Sequence, residues 1–381
     1  MKVVIAIDSF KGSVSSLEGS EAIALGIRDV YPDSNIVILP LADGGEGTVQ
    51  ALVTATDGQL RTVQVTGPLK KPIQAAYGIL GNGQTAVIEV AAACGLPLVP
   101  IENRNPLFTT TFGVGELILD AVRQGCREFV IGLGGSATND AGIGMLQALG
   151  YRFRDEGGNL VGEGGEALLH ISSIDTDHVC SELEQCIFKV ACDVSNPLHG
   201  PDGAAYVFAP QKGADSAMVM TLDEGLARFA NVVFQDLGIT VQDIPGGGAA
   251  GGLGAAFSGF LKGELQSGIR LVMDALGMED RLIGADLVIT GEGRLDGQTS
   301  MGKAPLGIAQ MAQKQGISVI ALAGGVSKDA SVLNELGITA YFPIVSGPMT
   351  LKQAMDQDET RDNLRRTMQQ LFRMIRAFKI D

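Results

Sequence analysis

KVVIAIDSFKGS, residues 2–13, sets the class of the fold. Residues 3–7 are apolar without interruption and mostly β-branched, with no alternation toward solvent. A strand of that kind is covered on both faces, as in parallel sheets flanked by helices. Asp8 ends the run, and the segment after it must turn back over the sheet. Ser15-Ser16-Leu17-Glu18 has the form of a capping box and predicts a helix start. Leu17, Ala24, Ile27 and Tyr31 mark one side of that helix, and Pro32 closes it. Residues 35–41 form a second strand pattern, followed by the turn LADGGEGT (41–48) and a helix from Thr48 to Thr56.

The C-terminal hundred residues repeat this strand–turn–helix style. DLVIT (286–290) and SVIAL (318–322) read as buried strands, each followed by a glycine-rich turn and a helix, and residues 341–345 as a further strand. A terminal helix over 359–377 has Leu364, Met368, Leu371, Phe372 and Ile375 on one face. Acids stand at its start and basic residues at its end, which suits the helix dipole. The middle is less regular. Two or three β runs over 62–90 precede a helix at 115–124, a strand at 128–132, a helix at 139–149, a strand at 186–192 and a long helix at 217–237. The expected architecture is α/β: a discontinuous domain from residues 1–65 plus 285–381, with a second α/β domain, 66–284, inserted, each boundary good to about 15 residues.

The composition is that of a globular chain, with 45% apolar and 19% charged residues in 381. A formal charge of −15 argues against nucleic acid or an anionic membrane as partner. Five scattered cysteines suit reduced thiols in a cytoplasm. Cys180, Cys186 and Cys192, with three histidines nearby, lack the short paired spacing of a zinc site. The longest uncharged run, IPGGGAAGGLGAAFSGFL (244–261), has too many glycines for a membrane helix and reads as a buried loop and a small-residue helix. The oligomeric state is not legible.

In parallel α/β sheets ligands bind beyond the carboxyl ends of the strands. The turns expected there carry Asp8, Ser9, Lys11 and Ser13; Asp43, Glu46 and Thr48; Ser136, Thr138, Asn139 and Asp140; Asp193, Ser195 and Asn196; and Glu292, Arg294 and Asp296. Any one of these sets could be a cap, a turn or a local ion pair. Five together exceed what a core needs. Glycine-rich turns at helix starts suit phosphate, and carboxylates at strand ends suit Mg²⁺. With a lysine to neutralise phosphoryl charge and an aspartate to accept a proton, these are the parts of a phosphoryl-transfer site. There is no P-loop motif and no nucleophile elbow. Gly246-x-Gly248-x-x-Gly251 matches a dinucleotide fingerprint but lies far from the first strand.

DSFKGS (8–13), PLADGGEGT (40–48), GGSATND (134–140), ACDVSNPL (191–198), PQKGA (210–214), GAAGGLGAA (248–256) and VITGEGRLD (288–296) together resemble the class I glycerate kinases of bacteria. The likeness runs from the first strand almost to the C-terminus. It implies transfer of the ATP γ-phosphoryl group to a hydroxyl of D-glycerate with Mg²⁺, the product being 2-phosphoglycerate. It also implies two α/β domains, one flavodoxin-like (Rossmann-like) and built from both chain ends, with the active site in the cleft between them. Ile7, Ala141 and the run 245–248 depart from residues common in the family, without loss of a charged or hydroxyl group.

Roles follow for the candidates. Asp193 is the first choice for general base and Asp43 the second, and Lys11 is the cation opposite the phosphates. Asp8, Ser9, Ser13, Gly134, Gly135, Ser136, Thr138, Asn139 and Arg294 bind substrate or phosphate. Asp43, Glu46, Glu292 and Asp296 hold the metal. Lys212 in PQKGA is a further cation without an assigned role. A 3-phosphoglycerate product, another small hydroxy acid as acceptor, a non-catalytic phosphometabolite-binding protein and a nicotinamide-dependent dehydrogenase stay open from the residues alone.

Overall fold

The structure, a computed structural model, describes all residues except 43, 298, 300–303 and 379–381. In chain order its strands are β1 (Lys2–Ile7), β2 (Asn35–Ile38), β3 (Gln59–Thr66), β4 (Pro72–Ile79), β5 (Thr85–Glu89), β6 (Glu128–Gly132), β7 (Arg152–Arg154), β8 (Ser173–Asp175), β9 (Ile187–Ala191), β10 (Glu264–Gln266), β11 (Leu287–Leu295), β12 (Ser318–Val326) and β13 (Ala340–Pro343). The fold is α/β. It divides into two compact units, Met1–Asp43 with Val272–Asp381, and Gly44–Leu271.

The first unit is built on a five-stranded sheet in the order β13-β12-β11-β1-β2, all parallel. Counted along the chain within this unit, the order is 2-1-3-4-5. β1 lies between β11 and β2, with Val3 to Ile7 fully buried, as its unbroken apolar run predicts. Ser15 caps the helix Ser16–Arg28 through a complete capping box with Glu18. That helix packs on the terminal helix Gln357–Phe378, and Arg365 pairs with Asp29 at 2.8 Å while Arg361 pairs with Glu18. β2 is shorter than its apolar pattern. Leu39 and Leu41 still donate to Ile5 and Ile7, and Pro40 between them stands where an edge strand has no ladder N–H to give.

β11 and β12 run longer than their apolar cores. The ladder continues through Glu292↔Ala323 and Arg294↔Gly325, so Glu292 and Arg294 stand on a strand and not in the turn expected there. Two apart on the strand, Glu292 and Arg294 point to the same face of the sheet, Glu292 buried and Arg294 exposed nearer the strand end.

The second unit holds a six-stranded mixed sheet, β10-β9-β6-β5-β4-β3. β5, β6, β9 and β10 are parallel, and β3-β4-β5 form an antiparallel meander. β3 pairs along its length with β4, and the second unit begins at Gly44. β7 and β8 make a separate antiparallel pair. The helix expected from residue 139 begins only at Ile143, after Ala141 and Gly142 at positive φ. Phe129, Phe188 and Phe257 lie within the core of this unit. No helix of the described residues is long and apolar enough to cross a membrane.

Candidate active site

Functional groups gather at the carboxyl ends of the parallel strands in each unit. In the first unit, a cavity of about 630 Å³ is lined by Asp8, Ser9, Lys11 and Ser13 beyond β1 and by Glu292, Arg294 and Asp296 at the end of β11. Seven predicted residues thus share one cavity. Asp8 is buried, and its Oδ1 accepts the Ser9 N–H at 2.6 Å. Ser13 Oγ lies 2.7 Å from Thr360 Oγ1, which pins the turn to the terminal helix. Thr299 Oγ1 donates to Glu292 Oε1 at 2.7 Å, and Arg294 Nε sits 3.5 Å from Asp296 Oδ2. The Arg294 side chain is 72% exposed, so most of its fork faces outward.

The second unit brings together the ends of β5, β6 and β9 with the turn at 44–48. Gly44 has φ 83°, and an added Cβ would stand 2.5 Å from Ala191 Cβ and 3.0 Å from Gly268 Cα. Gly132 is as tightly placed, its Cβ position 2.3 Å from the Gly44 carbonyl. Close approach of three backbones explains these glycines. Glu89 at the end of β5 accepts the Val49 N–H at 2.8 Å, placing a carboxylate at the start of the helix Thr48–Ala55. Burial raises its pKa. Glu46 is exposed, Thr48 is buried with its hydroxyl on the Gly45 carbonyl, and Asp43 lies outside the described residues. Asp193, just past β9, is exposed, and its Oδ1 accepts from Gly268 N at 3.2 Å, the first residue of the helix Gly268–Ala275.

The GGSATND loop splits in two. Gly134 and Gly135 are exposed, whereas Ser136, Thr138, Asn139 and Asp140 are buried. Lys212, without a role in the sequence reading, explains part of this. Its Nζ donates to Ser136 Oγ at 2.9 Å and to the Thr138 carbonyl at 2.7 Å, and the side chain is buried. Nothing in PQKGA announces that contact, 74 and 76 residues away in sequence.

Burial lowers the Lys212 pKa from 10.5 to about 8, while Cys94 and Asp140 pull the other way. Between those two values the unfolded chain holds the proton and the folded chain does not. The stability tied to this ionisation is therefore present above pH 10.5 and lost as the pH falls through about 8. As the pH rises across that window, the difference in unfolding free energy between wild type and Lys212→Met is expected to move in favour of wild type by on the order of 3 kcal/mol. Urea unfolding at pH values spanning it tests this; a difference independent of pH would contradict the buried ammonium.

Gly246, Gly248 and Gly251 have a packing explanation. Their Cβ positions would meet Cys192 Sγ at 2.7 Å, the Pro197 carbonyl at 2.2 Å and the Thr138 carbonyl at 2.1 Å. The glycine-rich run is spaced for backbone contact with the 138–141 and 192–198 segments, which accounts for the dinucleotide-like pattern. Among the described residues no three His, Cys, Asp or Glu side chains form a metal-binding group.

Residues 3–376 match the family model described as the glycerate kinase family. The chain is 49% identical over 354 residues to the glycerate 2-kinase of Escherichia coli K12, covering 93% of each. It is 47% identical over 379 residues to the glycerate kinase of Haemophilus influenzae Rd, covering 100% of each. Among solved structures, a protein assigned as glycerate kinase 2 from Salmonella typhimurium LT2 is similar with a TM-score of 0.91 and 47% identity, over 99% of this chain and 98% of that one.

Proposed function

The chain belongs to the glycerate kinase family, and we propose that it phosphorylates D-glycerate with ATP to give 2-phosphoglycerate. The observation that carries this reading is the first unit's cavity, where Asp8, Lys11, Glu292, Arg294 and Asp296 converge. Phosphoryl transfer asks mainly for positioned opposite charges around the transferred group. Lys11 and Arg294 supply positive charge there, Arg294 in a fork suited to paired oxygens. Ser9 and Ser13 add hydroxyl donors.

The donor set also suits Mg²⁺. Glu292 and Asp296 are oxygen ligands in the cavity that carries the two cations, and Mg²⁺ commonly takes one or two carboxylates with water and phosphate oxygens. Bound there, the ion would offset charge on the nucleotide phosphates. Asp193 accepts the proton of the attacking hydroxyl in this reading, with Gly268 N holding one of its oxygens. The exposed amides of Gly134 and Gly135 are offered to an anion, while Ser136, Thr138 and Asn139 shape that loop from behind.

The strand order 2-1-3-4-5 supports a flavodoxin-like reading of the first unit. The cysteines, all free, support a reducing cytoplasmic setting.

³¹P NMR of the protein with MgATP and D-glycerate tests the reaction and its regiochemistry. A proton-coupled doublet is expected for the new ester, because C2 carries a single hydrogen. A triplet would place the phosphate on C3 and overturn the 2-phosphoglycerate assignment. ATP left intact, with no new ester, would overturn glycerate as the acceptor.

A further inference from the structure

The first unit's cavity has a second half that phosphate chemistry does not use. Besides Asp8, Lys11 and Glu292 it is lined by the apolar side chains of Ile344, Leu351, Ala354 and Met355. Leu351 is 75% exposed and Met355 37%, so both present apolar surface to whatever enters the cavity. The wall is built into the site. Thr350 caps the short helix Leu351–Ala354 with a capping box, and Thr360 Oγ1 donates to the Ala354 carbonyl at 3.1 Å while also meeting Ser13 Oγ at 2.7 Å. Met355 Cε lies only 2.6 Å from the position a Cβ on Gly12 would take, so this side chain reaches across to the turn that carries Lys11.

Resting on the kinase reading above, we infer that this wall is the seat of the purine ring of the nucleotide, so that the first unit binds ATP along its length. Three observations support it. The volume, about 630 Å³, lies in the range of sites for drug-sized ligands and far exceeds what a three-carbon acid fills. Glycerate, with a polar oxygen on every carbon, would leave Leu351 and Met355 bare, whereas a flat ring covers apolar side chains and gains from a polarizable thioether. The cavity also opens beyond β1 and β11, where the chain leaves β1 toward β2 on one side and continues from β11 to β12 on the other. Such a switch in strand order is where open α/β sheets bind nucleotides. The charged half then faces the phosphates and the apolar half the base.

Equilibrium binding of ADP with Mg²⁺, measured by calorimetry, tests the inference without needing an acceptor. Leu351→Asp, at a site exposed enough to fold normally, is expected to weaken ADP binding at least tenfold and to raise the KM for ATP similarly, with the KM for glycerate within twofold of wild type. In protein labelled at methionine methyl carbons, ADP is expected to shift the Met355 signal, identified by its loss in Met355→Leu, and glycerate is not. Wild-type ADP affinity in Leu351→Asp together with an unmoved Met355 signal would overturn the assignment, as would a Met355 shift produced by glycerate alone. ADP binding that follows these expectations in a protein forming no phosphoglycerate would leave the purine seat standing and remove only the glycerate reading.

Discussion

Asp193→Asn is expected to lower turnover on glycerate at least a hundredfold while changing the affinity for ADP less than threefold. General base catalysis contributes about 10²–10⁴-fold, and an amide of the same shape cannot take the proton. Asp193 follows the buried strand β9, whose Val190 and Ala191 fix the backbone before it, and Gly268 N anchors Oδ1 from the start of the next helix. An asparagine keeps that anchor by presenting its carbonyl oxygen, so folding and binding should survive. Steady-state kinetics with calorimetric ADP binding separates the two effects. Turnover within fivefold of wild type would remove Asp193 as the base.

Asp140→Ala is expected to destabilise the second unit by about 4 kcal/mol, by leaving several buried donors without an acceptor. Asp140 is fully buried. Its Oδ2 accepts Thr111 N at 2.9 Å and Thr111 Oγ1 at 2.8 Å, and its Oδ1 accepts Gly142 N at 3.1 Å. Thr111 and Gly142 stand at the starts of the helices Phe112–Arg123 and Ile143–Ala148, so one carboxyl serves two helix N-termini. Burial raises its pKa, while these donors lower it. Thr111 Oγ1 in turn accepts Met145 N at 3.0 Å. Thr111→Val should therefore cost less, about 1–2 kcal/mol, and the double variant should cost less than the sum because both act on one network. Chemical denaturation of the three variants is the measurement. A loss below 1 kcal/mol for Asp140→Ala would mean that water replaces the carboxyl and that the network is not holding the helices.

Asp140 also illustrates what local reading misses. Its motif, GGSATND, suggests a cap by Thr138 and a helix from residue 139. The helix begins four residues later, after Ala141 and Gly142 take positive φ, and Asp140 turns instead to Thr111, a partner 29 positions back in the chain. GEGR, with two glycines and two charges, reads as a turn carrying Glu292 and Arg294. They are strand residues because β12 offers Ala323 and Gly325 as ladder partners, and a sequence pattern does not reveal the neighbour.

Wherever the information is local, the sequence alone determined the outcome. The unbroken apolar run of β1, the capping box at Ser15, the stop at Pro32 and the amphipathic terminal helix each rest on residues within a few positions of one another. The order of seven short motifs likewise identified the glycerate kinase family. Tertiary structure alone decided which charges meet. Asp8, Lys11, Glu292, Arg294 and Asp296 share a cavity only because β11 lies beside β1 in the parallel sheet. Lys212 is buried against Ser136, and Gly44 needs its missing side chain, only because distant strand ends close on them. Such contacts depend on strand pairing and packing between segments far apart in the chain, and hydrophobic pattern specifies that a face is buried without specifying against what.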